Sequence, residues 1–254
     1  MSLDILLFGC NGNMGKVITS EVSNSSDFKI VAGVDNSTGN SNYPVYKSIK
    51  DIRERSDVII DFSSPETLDD ILEYGLENNI PMVLATTGYS EDQIKKINKT
   101  SEKTTIFRTA NMSFGINVLM KILKEITPLL KEFDIEIVEK HHNKKVDSPS
   151  GTAKMLKDTI VESVEKEFNI VYGRHGNNTK RSENDIGVHA IRGGTISGDH
   201  SVIFAGEDEI IEFNHKAQSK KLSAHGALKA ALYIMKKEKG LYDMNNLIED
   251  IRRK

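Results

Sequence analysis

Apolar positions along this chain follow two rhythms, and the first third alternates between them. From Leu3 to about Arg108, short continuous apolar runs are separated by longer stretches with apolar residues at helical spacing. Leu3 to Phe8 reads as a buried strand, followed by a glycine-rich turn and a helix from about Gly15 to Asn24. Phe28 to Val34 and Asp57 to Phe62 are the next strands, and Pro65 stands where a helix accepts proline in its first turn. That helix carries Leu68, Ile71, Leu72 and Leu76 on one face. Ile80 to Leu84 is a fourth strand, then Thr86-Thr87-Gly88, a helix over about Glu91 to Lys99, and a last strand from Thr105 to Phe107. Strands alternating with helices imply crossover units, hence an α/β fold of Rossmann type with a doubly wound parallel sheet.

The texture changes near Asn111. A helix from Ser113 to Lys131 turns Val118, Leu119, Ile122, Leu123, Ile126 and Leu130 inward, with Pro128 kinking or restarting it. Phe133, Ile135 and Ile137 then alternate with acidic residues, the mark of a half-buried strand. A helix is expected from about Thr152 to Phe168. Strands at Asp185 to Ile191, Ser201 to Phe204 and Glu209 to Phe213 follow, joined by glycine-rich turns such as Arg192-Gly-Gly194. Such a run of strands predicts a second, α+β domain on an antiparallel or mixed sheet. The polar stretch Asn177 to Asn184 reads as a mobile loop, and the Asn/Ser-rich Asn36 to Asn42 as another. Ala224 to Lys237 is an amphipathic helix with Ala227, Leu228, Ala231, Leu232 and Met235 inward.

Composition narrows the class. At 254 residues, 38% hydrophobic and 28% charged, the chain has ample core for two ordinary domains. A formal net charge of −3 argues against general nucleic-acid binding. One cysteine, Cys10, excludes an internal disulfide and a cysteine-based metal cage. Met1 to Phe8 is too short and too acidic for a secretory signal, and no apolar run approaches a bilayer span. A cytoplasmic protein with no membrane partner is the expectation.

Gly9-Cys-Asn-Gly12-Asn-Met-Gly15 follows an apolar strand and opens a helix. Residues without Cβ let the backbone approach a pyrophosphate, and the helix start offers N–H donors and a positive dipole end. Tight strand-to-helix turns also favour glycine for steric reasons alone, so context decides. Asp35 ends the second strand about 20 residues on, where an acid holds the adenine ribose hydroxyls. A carboxylate there repels a 2′-phosphate, and the following Asn-Ser-Thr-Gly brings no arginine, so NADH is favoured over NADPH. Asp35 can instead be a plain turn residue before Asn36, and Lys16 or Lys47 can reach a phosphate. The turns Ala85-Thr-Thr-Gly88 and Thr109-Ala-Asn-Met112 also follow strands, where the ligand crevice of an open α/β sheet lies.

The run Glu136-Ile-Val-Glu-Lys-His-His-Asn-Lys-Lys-Val-Asp-Ser-Pro-Ser-Gly-Thr-Ala153 gathers three lysines and two histidines within Lys140 to Lys145. Ser150 or Thr152 is placed to cap a helix, and Gly151 lets an anion approach its backbone. Lys145 can hold a charge or deliver a proton, and His141 is a general acid by type. The combination predicts a small, multiply anionic substrate that receives protons. A solvated basic turn is the plainer alternative. A zinc site is disfavoured, because the two histidines are adjacent and no third ligand is evident.

This run resembles the signature of the dihydrodipicolinate reductase (4-hydroxy-tetrahydrodipicolinate reductase) family. The resemblance extends over essentially the whole chain, through Gly9 to Gly15, Asp61-Phe-Ser-Ser-Pro65, Ala85 to Gly88, Asn111 to Asn117, Arg192 to His200 and His215-Lys-Ala217. It implies reduction of a cyclic hydroxy-dicarboxylate with NADH or NADPH and loss of water, giving tetrahydrodipicolinate in lysine and diaminopimelate synthesis. By motif position it implies His141 as proton donor or acceptor and Lys145 as proton donor, with His142, Ser150, Gly151 and Thr152 at the substrate. Gly9, Cys10, Asn11, Gly12, Asn13, Met14, Asp35, Ala85, Thr86, Thr87, Thr109, Ala110, Asn111 and Met112 resemble the cofactor contacts. It further implies a homotetramer whose C-terminal helix packs back on the nucleotide domain. Residues 1–111 plus about 222–254 are then the dinucleotide-binding domain and 112–221 the substrate-binding and oligomerisation domain, closing on binding. Asn13 stands where the family often carries arginine, which again disfavours NADP. Asn143, Lys144, Lys220 and Ser223 also depart from the usual pattern without removing a named catalytic group. Other readings are an amino-acid or sugar dehydrogenase with the same nucleotide half, and a dinucleotide-responsive regulator without turnover.

Overall fold

A computed structural model describes residues 2–37, 39 and 41–253; Thr38 and Asn40 of the Asn/Ser-rich tract lie outside the described residues. In chain order the elements are β1 (Leu3–Phe8), α1 (Asn13–Ser23), β2 (Phe28–Val34), β3 (Val45–Tyr46), β4 (Val58–Asp61), α2 (Leu68–Glu77), β5 (Met82–Leu84), α3 (Glu91–Ser101) and β6 (Thr105–Arg108). There follow α4 (Phe114–Ile126), β7 (Asp134–His141), α5 (Gly151–Val161), β8 (Asn169–Tyr172), β9 (Asp185–Arg192), β10 (Asp199–Ala205) and β11 (Ile210–Lys216). The chain ends with α6 (Lys221–Ile234), β12 (Gly240–Tyr242) and α7 (Met244–Arg252). Contacts divide it into two compact units, residues 1–114 with 220–254, and residues 115–219.

The first unit is built on a parallel sheet in the order β12-β6-β5-β4-β1-β2-β3. Every residue of β4 is buried, as is the stretch from Ile5 to Phe8, because both sheet faces are covered. Leu6, Phe8, Ile59, Met82 and Ile106 form a core with Leu68, Ile71 and Leu72 of α2. The burial of α2 follows Leu68, Ile71, Leu72 and Gly75, with Leu76 only partly buried. In α6 the buried stripe is Ala224, Ala227, Leu228, Ala231 and Ile234, whereas Leu232 and Met235 are exposed, contrary to expectation. Small residues set that face: a Cβ on Gly226 would lie 1.7 Å from the Met112 carbonyl oxygen, so α6 approaches the backbone there and turns its bulkier residues outward. The strand β12 and helix α7 were not legible in the hydrophobic pattern; β12 is three residues long and pairs with β6 at the sheet edge.

The second unit carries a mixed sheet in the order β11-β10-β7-β9-β8, with β10 antiparallel to both β11 and β7. β9 runs parallel to β7 and β8. Ile135, Ile137, Ile186, Val188, Val202 and Phe204 pack against Leu119 and Leu123 of α4 and Ala153, Leu156 and Ile160 of α5. The buried face of α4 is Ile116, Asn117, Leu119 and Leu123, so Ile122 faces outward, contrary to expectation. Pro128 restarts the chain as a single 3-10 turn, as its missing N–H demands. Helix α5 stops at Val161, well before Phe168, and the short strand β8 follows. The Arg192–Gly194 turn makes no hairpin, because β7 lies between β9 and β10. It folds onto the end of β7 instead: Gly193 N–H donates to the His141 carbonyl at 2.9 Å and Asn143 N–H to the Gly194 carbonyl at 3.2 Å.

A buried carboxyl ties the ends of β4 and β5 together. Asp61 Oδ1 accepts from Ser63 N–H at 2.9 Å and from the Ser63 hydroxyl, and Oδ2 accepts from the Tyr89 hydroxyl at 3.1 Å. Burial raises the Asp61 pKa despite these donors. A folded-state pKa above the unfolded one means that stability is greatest below the ordinary aspartate range and declines as pH rises through the folded value. Asp61→Asn keeps the shape and removes the ionisation. Its melting temperature relative to the parent is therefore expected to rise as pH increases above the ordinary aspartate range. A difference that stays constant across a thermal-melting series in pH contradicts the argument.

Candidate active site

In the first unit, the turn after β1 lies where the strand order reverses, since β1 sits between β4 and β2. Gly9 has φ +72°, and a Cβ there would lie 2.5 Å from the Phe62 carbonyl oxygen; a Cβ on Gly15 would lie 2.2 Å from the Gly9 oxygen. The packing of the turn itself therefore dictates both glycines. Gly12 is different. It caps α1 without a side-chain hydrogen bond, no acidic residue follows in the first turn, and the nearest atom to a Cβ would be the Gly9 oxygen at 3.1 Å. The positive end of α1 is thus left uncompensated and open to an anion, which fits a dinucleotide pyrophosphate.

Asp35 organises this turn. Its Oδ2 accepts from Asn11 N–H at 2.9 Å, and its Oδ1 accepts from Ser37 N–H at 3.1 Å and the Ser37 hydroxyl at 3.0 Å. Gly9, Gly12 and Asp35 line one cleft of ≈ 390 Å³ with Lys47, Ser48, Ser63 and Ser64. Cys10 lies buried behind it, its thiol pushed up to about 11 by burial and by the Asp35 charge, so it is inert. Asn13 and Met14 begin α1. Ala85, Thr86 and Thr87 follow β5, and Thr109, Ala110, Asn111 and Met112 follow β6, so both segments leave the same edge of the sheet as the glycine turn. Ala85, Thr86 and Met112 are buried, and Asn111 Oδ1 accepts from Ser113 N–H at 2.9 Å.

In the second unit, β7 delivers two polar side chains onto its apolar face. The alternation that buries Ile135 and Ile137 also buries Glu139 and His141. Glu139 is 0% exposed, and four donors converge on it. Arg192 Nη1 donates to Oε2 at 2.8 Å and Nη2 to Oε1 at 2.7 Å. His141 Nδ1 lies 2.6 Å from Oε2, and Ser150 N–H donates to Oε1 at 3.0 Å. Burial acts to raise the Glu139 pKa, but the Arg192 guanidinium, His141 and the Ser150 amide outweigh it, and the net shift is downward. The group is a carboxylate, which only accepts, so the His141 hydrogen in this bond sits on Nδ1.

Ser150 also caps α5. Its Oγ accepts from Ala153 N–H at 3.2 Å and lies 3.0 Å from His200 Nε2. No acid occupies the first turn of α5, and a Cβ at Gly151 would meet nothing within 4 Å, so the backbone at Gly151 can be approached. Burial, with the nearby His141 charge, pushes His200 down to about 4, so it is neutral at neutral pH. Its ring meets that of His141 edge-on at 5.2 Å between centroids. Lys145 Nζ donates to Asp147 Oδ1 at 2.7 Å and holds that carboxyl below its usual range. His142 offers its carbonyl to the Lys145 N–H at 3.2 Å.

The sequence-predicted His141, Ser150, Gly151 and Thr152 thus gather at the end of β7 and the start of α5, with Lys145 in the loop between them. Sequence reasoning missed Glu139, Arg192, Gly198 and His200. Glu139 carried a legible signal, since it falls two residues beyond Ile137 in an alternating strand. In the nucleotide cleft, Ser48, Ser63 and Ser64 were missed, because they come from connections without periodicity. Among the described residues, no group of three or more His, Cys, Asp or Glu is placed to hold a metal ion.

Comparison with known proteins accords with this arrangement. The dihydrodipicolinate reductase N-terminus family matches residues 3–112, and the dihydrodipicolinate reductase C-terminus family matches residues 115–248. The 4-hydroxy-tetrahydrodipicolinate reductase of Clostridium tetani is 50% identical over 246 residues, covering 96% of each chain. That of Caldanaerobacter subterraneus subsp. tengcongensis is 46% identical over 249 residues, covering 98% of this chain and 99% of the other. Among solved structures, a dipicolinate-bound dihydrodipicolinate reductase from Paenisporosarcina sp. TG-14 aligns with TM-score 0.80 at 22% identity, covering 96% of this chain and 98% of that one. A myo-inositol dehydrogenase from Corynebacterium glutamicum shares the fold more loosely, with TM-score 0.56 at 13% identity over 94% of this chain and 90% of that one. With both halves matched and relatives near one-half identity over nearly the full length, the chain belongs to the dihydrodipicolinate reductase family.

Proposed function

We propose that this chain reduces 4-hydroxy-2,3,4,5-tetrahydrodipicolinate to 2,3,4,5-tetrahydrodipicolinate, with loss of water, on the route to diaminopimelate and lysine. Among its structural features, the one that best supports the reading is the open approach to the Gly151 backbone at the start of α5, with His141 at the end of β7 and Lys145 in the loop between. A small diacid needs N–H donors and cations for its carboxylates, and its ring needs a proton after reduction. The nicotinamide cofactor supplies the hydride. The chain's own residues do the rest. The amides at 151 and 152 and the Lys145 ammonium hold a substrate carboxylate, and Lys145 or the Nε2 of His141 quenches the charge that hydride addition leaves on the ring.

The first unit is the nucleotide-binding domain of this reading and the second the substrate and oligomerisation domain. NADH is the preferred cofactor. The Asp35 carboxylate lines the cleft and repels a 2′-phosphate bound beside it, although Lys47 in the same cleft offsets part of that repulsion. The protein works as a homotetramer in the cytoplasm. Helices cover one face of the five-stranded sheet, while the other presents Val138, Ile191 and Ile203 among polar and charged side chains such as Glu136, Lys140, His189 and Ser201, a mixed surface of the kind that meets a second copy. Sedimentation is expected to give about four times the 28.3 kDa chain mass, and a monomer at micromolar concentration contradicts the assembly.

Initial rates test the chemistry. Lys145→Ala is expected to keep its NADH affinity while kcat falls about 10²-fold or more. An unchanged kcat removes the role given to that lysine. The parent is expected to show a lower KM for NADH than for NADPH, and equal or reversed values count against the Asp35 argument. A parent that oxidises NADH only with amino acids or sugars, or with nothing, contradicts the reading as a whole.

A further inference from the structure

The Glu139–Arg192 pair, with its carboxylate buried and its guanidinium partly exposed, bonds to both groups that border the open approach at Gly151. Glu139 divides its oxygens: Oε2 faces His141 Nδ1 and Arg192 Nη1, while Oε1 takes Ser150 N–H and Arg192 Nη2. Arg192 reaches it from the end of β9 and also donates from Nη2 to the Asp147 carbonyl at 2.7 Å, so it spans the loop that carries Lys145. Gly198, at φ +150°, completes the setting. A Cβ there would lie 2.9 Å from His141 Nε2, so only glycine leaves that nitrogen uncrowded.

We infer that Glu139, clamped by Arg192, is a positioning residue for the reaction: it holds His141 with its hydrogen on Nδ1, so that Nε2 is the nitrogen that exchanges protons. The same carboxylate fixes the start of α5 through Ser150, so the acid–base group and the anion-binding backbone share one anchor. The inference rests on the reading of His141 and the α5 start as substrate machinery. The plainer alternative is an ion pair that only stabilises the fold. Against it stands the cost of burying a charged pair, which on average leaves little net stability. The geometry also acts on the histidine directly. Which ring nitrogen carries the hydrogen is set by the bond the other makes, and a carboxylate at 2.6 Å from Nδ1 admits only one answer. His200, edge-on to the same ring and neutral, adds no competing charge from that side at neutral pH.

Two measurements test this. The first is ¹⁵N NMR of the histidine-labelled parent, with pH raised until the His141 signals are those of a neutral ring and with those signals identified by their loss in His141→Asn. The Nδ1–H tautomer is expected at His141, and a predominant Nε2–H tautomer overturns the inference. The second is E139Q, whose amide offers one acceptor and one donor to a site with four donors. With the amide oxygen in the Oε1 position the Ser150 bond is kept and the NH2 opposes His141 Nδ1, so kcat is expected to fall roughly 10- to 100-fold while the dicarboxylate KM changes less than about threefold and NADH affinity is kept. Intact NADH affinity with kcat within about twofold of the parent, or a change confined to KM, overturns the inference. Should E139Q fail to fold, the tautomer in the parent still decides. A parent with no turnover refutes the functional reading instead, and the NMR result then stands or falls separately.

Discussion

A carboxylate withdrawn from water has to be met by enough donors to replace its hydration, and Glu139 meets that demand with four donors from three places in the chain. His141 lies on its own strand, Arg192 ends the neighbouring strand, and Ser150 begins the helix that covers both. Loss of any one donor leaves charge uncompensated in a site from which Glu139 cannot escape. The constraint therefore fixes three segments relative to one another. The pairing of β9 with β7 sets Arg192 beside His141 and so brings the guanidinium within reach of Glu139.

The nucleotide half obeys a different constraint. Its sheet is parallel and covered on both faces, so its loops have freedom only at the strand ends. There the turn after β1 is held by Asp35 from one side and by the Phe62 carbonyl against Gly9 from the other. Both glycines that the turn cannot replace are forced by the protein's own backbone. Gly12, by contrast, leaves the helix start bare. In the proposed reading the two units offer the same element, a helix N-terminus, to two anions: a pyrophosphate in the first and a substrate carboxylate in the second.

Much of this was legible in the sequence because it depends on local pattern. The strands at Leu3–Phe8 and Phe28–Val34 are continuous apolar runs, and a buried parallel strand has no other signature. The start of α5 at Ser150-Gly-Thr is a capping signal written in residue type. What stayed hidden depends on tertiary proximity. Ile122 and Leu232 fit a helical stripe as well as their neighbours do, and only close packing at Gly226 and burial of Asn117 show which stripe is inward. Strands β8 and β12 are too short to display a period. Arg192 lies 53 positions from the carboxylate it clamps, with nothing in the intervening text to link them. The fold class and the candidate acid–base residues follow from type, spacing and motif, whereas the support beneath them does not.

The account comes down to where a diacid binds. The most direct measurement is a crystal structure of the protein with pyridine-2,6-dicarboxylate and NADH. The account predicts one carboxylate within hydrogen-bonding distance of the Gly151 and Thr152 amides, with the Lys145 ammonium turned from Asp147 toward the ligand. It also predicts His141 Nε2 facing the ring while Nδ1 stays on Glu139. A ligand seated away from the start of α5, or a Lys145 and His141 that point away from it, contradicts the account.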